Sequence, residues 1–283
     1  MENIVYNNKL YNLTKFIRRL PNAYKIIQEY SYDVGTEKED KLKELFVELY
    51  DKRLPKINID SFIDICAAPG TYSTLLLEKH QNAKGIGISL DPAEGGYEFN
   101  ILYDDRYKKF YKNIYDIDHN IDKQDTELYD LCMASCIPYN VSAKRAEDYK
   151  IIYKSLMICL SHLKKDGILI INFSFKDIIF AINFVHLINK LFEKIRLFKS
   201  TKLWILQRTF YIIGYQYTRD GKTILEINSF LEDFDNFYNK YHKQLLPDIE
   251  KNELMFILRL FESDVFMPQI QTYMIKSVKK TKL

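Results

Sequence analysis

The stretch that most limits what this chain can fold into is Phe62-Ile63-Asp64-Ile65-Cys66-Ala67-Ala68-Pro69-Gly70-Thr71-Tyr72-Ser73. An apolar run carries an acid, then come small residues, a Pro-Gly corner and an opening helix. A parallel strand hands over to a helix in this way beside a nucleotide-like cofactor. Small residues let backbone approach a ligand that larger side chains would hold off.

The flanking pattern agrees with such a corner. Apolar residues recur at helical spacing over 10–30 and 38–50, so residues 1–55 read as a helical N-terminal extension. Lys52-Arg53-Leu54-Pro55 ends it, because proline disfavours helix in the residue before it. Strands are then expected at 61–66, 83–90, 110–114, 127–134, 168–173, 195–198 and 209–217. Helices are expected at 71–79, 143–163 and 176–193, with a turn at Lys164-Lys165-Asp166-Gly167. Alternating strands and helices predict an α/β fold with a parallel sheet and right-handed crossovers. Residues 56–218 read as one domain, and 219–283 as a C-terminal helical lobe. There is no internal repeat.

Composition adds exclusions. The 283 residues are 47% hydrophobic and 28% charged, with a net charge of +3, which neither demands nor excludes nucleic acid. No stretch is both long and free of charge, so no membrane span is expected. The first residues lack the apolar centre of a signal peptide. Cys66, Cys132, Cys136 and Cys159 sit in apolar surroundings and read as buried free thiols of a reducing compartment, the cytoplasm. Basic residues gather at Lys9, Lys15, Arg18, Arg19 and Lys25, and again at Lys276, Lys279, Lys280 and Lys282; each group reads first as solvated surface.

Asp64-Ile65-Cys66-Ala67-Ala68-Pro69-Gly70 with Tyr72-Ser73, followed by Ala83-Lys84-Gly85-Ile86-Gly87-Ile88-Ser89-Leu90, resembles the S-adenosylmethionine site of FtsJ-type RNA 2′-O-methyltransferases. The likeness extends to Leu160–Gly167 and Gln207–Gly214 and spans roughly 56–217. It implies a Rossmann-like, mostly parallel seven-stranded sheet with helices on both faces. It also implies S-adenosylmethionine held by Asp64, Ala67, Ala68, Pro69, Gly70 and Tyr72, with Asp116 on adenine and either Ser89 or Asp91 on the ribose. A dinucleotide would need several glycines around its pyrophosphate. One glycine suffices here, because the ligand's methionine end carries an ammonium and a carboxylate for the Ala67–Gly70 backbone.

Members of the family transfer methyl with a Lys-Asp-Lys-Glu set. Carried over by position, the first lysine is Lys43 or Lys41. The aspartate falls on Ser135 or Cys136, the second lysine on Asn172 and the glutamate on Thr209. An amide does not titrate at neutral pH, so Asn172 is no general base. Loss of such a base forfeits roughly a hundredfold in rate or more. Only the Pro-Tyr half of Cys136-Ile137-Pro138-Tyr139 matches the turn of amino-methyltransferases.

The expectation is therefore a degenerate member that binds S-adenosylmethionine, lacks most of the catalytic set, and binds RNA (capped mRNA or rRNA) or supports a capping or RNA-processing subunit, in the cytoplasm or a virus factory there. Two alternatives stand beside it: an active RNA methyltransferase with a rearranged site, and an interaction protein with a vestigial pocket. RNA contacts are expected from Arg18, Arg19, Lys25, Lys41 and Lys43, with Tyr72 and Tyr139 beside the same cleft.

Overall fold

In a computed structural model of the chain, the described residues are 8–9, 11–13, 15, 36–54, 57–101, 104–117, 128–136, 145–174, 177–201 and 209–271. The expected roles of Arg18, Arg19, Lys25, Tyr139 and the lysines beyond 271 lie outside them.

Seven strands form one sheet: β1 (Ser61–Ile65), β2 (Lys84–Ser89), β3 (Tyr107–Tyr111), β4 (Tyr129–Ala134), β5 (Leu163–Ser174), β6 (Phe192–Phe198) and β7 (Thr209–Tyr217). Their order is β3-β2-β1-β4-β5-β7-β6. The first five run parallel, and β7 enters antiparallel between β5 and β6. Alternation sorts side chains to two faces. Phe62, Leu131, Met133, Ile170 and Ile213 face α1 (Thr36–Arg53) and α2 (Thr71–Lys79). Ile63, Ile65, Cys132, Leu169, Ile171 and Ile212 face α3 (Arg145–His162), α4 (Ile178–Leu191) and the C-terminal helices α5 (Gly221–Glu232), α6 (Phe234–Tyr241) and α7 (Lys251–Leu260). The buried Asn183 of α4 fastens that last group: its amide donates to Tyr241 and Gln244 carbonyls and its oxygen accepts from Leu246 N–H.

Three local expectations are corrected. The strand expected at 110–114 runs from Tyr107 to Tyr111, because Asn113 caps a 3-10 turn over Ile114–Asp116 by accepting from Tyr115 N–H. The turn expected at 164–167 is an irregularity inside β5: Leu163 pairs with Tyr129 and Ile168 with Leu131, and Asp166 takes a left-handed φ of 64°. Turn-type residues bend this strand without ending it. Finally, β6 follows α4 directly at Phe192.

Candidate functional site

The site lies beyond the carboxyl ends of the strands. Chain order reverses there between β1 and β4, the place where open parallel sheets bind ligands. β1 gives way to Cys66, a cis Ala68–Pro69 bond and Gly70, whose φ of 100° favours glycine. Ala67 N–H donates to Ile88 O at 3.0 Å and Gly70 N–H to Ala67 O at 2.7 Å. Asn100 N–H takes up Pro69 O at 2.9 Å. The expectation that backbone from Ala67 to Gly70 receives a ligand is thus narrowed, since two of its N–H groups are engaged and Pro69 has none. What remains for an anion is Ala68 N–H and the opening of α2. Thr74 N–H is the first to find an intrahelical carbonyl, that of Gly70, so residues 71–73 present N–H groups at the positive end of the helix.

Asp64 lies beneath this corner. It is 1% exposed, and its Oδ2 accepts from Ser73 Oγ at 2.8 Å. Ser73 Oγ in turn accepts from Tyr107 Oη at 2.9 Å. The other oxygen, Oδ1, is buried without a hydrogen-bond partner. Burial pushes the carboxyl up to about 7, with the Ser73 bond pulling the other way. The Tyr107 ring needs Gly87 beneath it: a Cβ there would lie 1.8 Å from the Tyr107 hydroxyl oxygen.

Around the rim, Ser89 is buried at the end of β2 and its carbonyl accepts from Lys112 N–H. Asp91 caps the turn Pro92–Glu94 through Ala93 N–H, so one of its oxygens is already engaged. Asp116 is exposed just after β3. Ala67, Ala68, Pro69, Gly70, Ser89, Asp91 and Asp116 thus all sit at one end of β1–β3.

The positions expected to carry acid–base chemistry meet a different neighbourhood. Asn172 and Tyr211 are register partners in β5 and β7. Tyr211 Oη lies 2.6 Å from Tyr72 Oη and is hydrogen-bonded to the side chains of Asn172 and Ser135. Burial raises the Tyr211 phenol above its ordinary value, so it stays protonated at neutral pH. Thr209 is half-buried at the start of β7, and its carbonyl accepts from Nζ of the buried Lys199 at 2.6 Å. Lys43 does not join them. Its ammonium is 3.7 Å from Glu78, in the last turn of α2 and about 12 Å along that helix from Gly70, and both side chains are half exposed. Ser135, Asn172, Tyr72 and Tyr211 are brought together, whereas Lys43 is held elsewhere.

The thiol expectation is corrected. Cys66 and Cys136 form a disulfide with Cα atoms 5.2 Å apart, while Cys132 and Cys159 are free and buried. Ile65 and Ala134 are register partners at the ends of β1 and β4, so the cysteines just beyond them face each other across the crevice. Seventy residues of sequence separation conceal that adjacency.

The sequence pattern of FtsJ-like methyltransferases matches residues 40–217, more than half of the chain. The chain belongs to the FtsJ-like methyltransferase family. Among curated proteins, none matches it. Solved structures resemble this FtsJ-like protein at low identity. A ribosomal RNA methyltransferase, putative, from Plasmodium falciparum is 15% identical, with 62% of this chain and 96% of that chain covered and a TM-score of 0.47. Human methyltransferase-like protein 13 in complex with SAH is 11% identical, with 79% and 99% covered and a TM-score of 0.45. A fibrillarin/Nop5p complex gives 13% identity, 67% and 88% coverage and a TM-score of 0.47. Among the described residues of the FtsJ-like chain, no helix is long and apolar enough to cross a membrane.

Sequence reasoning missed Tyr211, Ser73, Tyr107 and Lys199 as parts of this end of the sheet. Tyr211 lies inside the stretch 207–214 that carried the resemblance, and its alternation with Thr209 already placed both on one face of β7. Lys199 gave no signal, because a lone lysine after an apolar strand is ordinary.

Proposed function

We propose that this FtsJ-like protein binds S-adenosylmethionine at the β1–α2 corner and does not methylate ribose through a lysine base, acting instead in RNA or cap binding or in support of an active methyltransferase or capping subunit. The observation that carries the proposal is the neutral cluster Ser135–Asn172–Tyr211–Tyr72, which occupies the place of a charged set. An amide has no titrating proton, and a buried phenol held by neutral partners does not ionise near pH 7. Lys43, the retained lysine, is paired with Glu78 away from that cluster.

The corner fits the cofactor on two counts. Asp64 Oδ1 is a buried acceptor without a partner, suited to a cationic group. The N–H groups opening α2 suit a carboxylate. Asp116 and Ser89 or Asp91 would hold the nucleoside. When bound, S-adenosylmethionine supplies an electrophilic methyl group on a sulfonium; the chain's own residues supply only its placement. Calorimetric titration with S-adenosylmethionine tests this: heat in the wild type, reduced in Asp64→Ala and Asp116→Ala, supports the pocket. Absence of heat in the wild type removes it.

One observation favours a second reading, an active RNA methyltransferase with a rearranged site. The buried Lys199 reaches the Thr209 backbone, at the strand position where the family places its glutamate. Methyl transfer to RNA that disappears in Lys199→Met would establish it.

A further inference from the structure

Among the described residues, six large apolar side chains are exposed, and Phe110, Tyr111 and Tyr115 are three of them. They fall within Tyr107-Lys108-Lys109-Phe110-Tyr111-Lys112-Asn113-Ile114-Tyr115, which contains three lysines and no acid. Exposed apolar groups scattered singly need no explanation; Tyr111 lies on the other face of the strand, so the feature that stands out is Phe110 together with the lysines beside it.

The strand sorts these residues. β3 is the edge of the sheet, and every residue from Lys108 to Lys112 is exposed. Tyr107, Lys109 and Tyr111 face the α2 side: Lys109 Nζ donates to Ile101 O, and Tyr111 packs on Phe99 and donates to Glu98. Lys108, Phe110 and Lys112 share the opposite face. Register places Lys108 beside Ile86 and Phe110 beside Ile88 of β2, and the exposed Lys84 continues that row. Phe110 is 40% exposed and Ile86 half-buried, so this corner of the sheet shows an apolar centre ringed by Lys84, Lys108 and Lys112.

Lysines on an edge strand guard against pairing with other strands. That explanation covers Lys108 and Lys112 but not Phe110, since an exposed phenylalanine between them works against the same purpose. An aromatic ring with lysines about 6.6 Å to either side along the strand suits a nucleobase flanked by its phosphates.

We propose that the Phe110 face of β2–β3 is a stacking platform for single-stranded RNA, with a base on the Phe110 ring and backbone phosphates on Lys84, Lys108 and Lys112. The proposal deepens the RNA reading above and rests on it. The platform lies on an outer face of the sheet, separate from the Ser135–Asn172–Tyr211–Tyr72 cluster. It gives a fold without a ribose base a way to hold RNA that does not pass through the catalytic position.

The test is fluorescence anisotropy of a labelled single-stranded RNA of mixed sequence, titrated at several salt concentrations. Phe110→Ala is expected to weaken binding about tenfold at every salt, and Phe110→Tyr to keep it. Lys108→Gln is expected to weaken binding and lower the salt slope by about one. Calorimetric titration with S-adenosylmethionine, run on each variant, reports whether the cofactor corner is intact. Wild-type RNA binding that is unchanged in Phe110→Ala and Lys108→Gln would overturn the platform while leaving the RNA reading in place. Absence of RNA binding by the wild type at low salt would remove both. Binding to anionic lipid vesicles that Phe110→Ala abolishes, without any RNA binding, would assign the face to a membrane and overturn the proposal.

Discussion

The hydroxyls of Tyr72 and Tyr211 stand 2.6 Å apart and join the first turn of α2 to β7. Through Tyr211 the contact reaches Asn172 on β5 and Ser135 after β4. Four elements are thus pinned by neutral polar groups at this end of the sheet.

Tyr211→Phe leaves the polar groups of Tyr72, Asn172 and Ser135 short of a partner in a buried site. It should lower unfolding free energy by about 1–3 kcal/mol. Tyr72→Phe should cost about 1 kcal/mol, and the double variant less than the sum, because the two remove one shared contact. Urea unfolding of the three variants with an unchanged m-value measures this. A fully additive double variant would show that the hydroxyls do not interact.

Asp64 makes stability depend on pH in an unusual direction. Its folded-state carboxyl is raised by burial to about 7, above the ordinary carboxyl value of 3.8. Between those values the folded chain holds a proton that the unfolded chain has released. Stability from this group is therefore full below about pH 4, falls as pH rises, and levels off above about 7. The slope is at most about 1.4 kcal/mol per pH unit. Asp64→Asn should flatten that part of the profile. An identical profile in wild type and variant would show that Asp64 titrates normally.

The Cys66–Cys136 disulfide closes a loop across the crevice between β1 and β4. Loop-closure entropy for a separation of 70 residues predicts that Cys66→Ser with Cys136→Ser lowers stability by about 4 kcal/mol. Addition of a dithiol reductant should shift the wild type to the variant's denaturation midpoint and leave the variant unmoved. Coincident midpoints for wild type and variant without reductant would show that the bond does not form in solution.

Much of this architecture was legible because hydrophobic runs and small-residue corners follow from local physics. The apolar run 168–171 reads as a central strand, and Ala67–Gly70 as a close-approach corner. The site was less legible wherever it depended on distant pairing. Lys43 was one of two lysines, with Lys41, that the resemblance offered for the first position, and the way α1 crosses α2 puts its ammonium beside Glu78. Cys66 and Cys136 read as separate thiols, because only the register Ile65–Ala134 shows that they meet. Phe110 read as a strand residue, and only its place on an edge reveals that its ring is exposed.

A cofactor pocket that persists without a ribose base separates cofactor binding from methyl transfer. Transfer of labelled methyl from S-adenosylmethionine to capped and uncapped RNA, at cofactor concentrations shown by calorimetry to saturate the protein, tests this separation most directly. Saturable cofactor binding is expected, with no 2′-O-methylated product above a no-protein control. Ribose methylation by the wild type that is abolished in Lys43→Ala or Lys199→Met would contradict it.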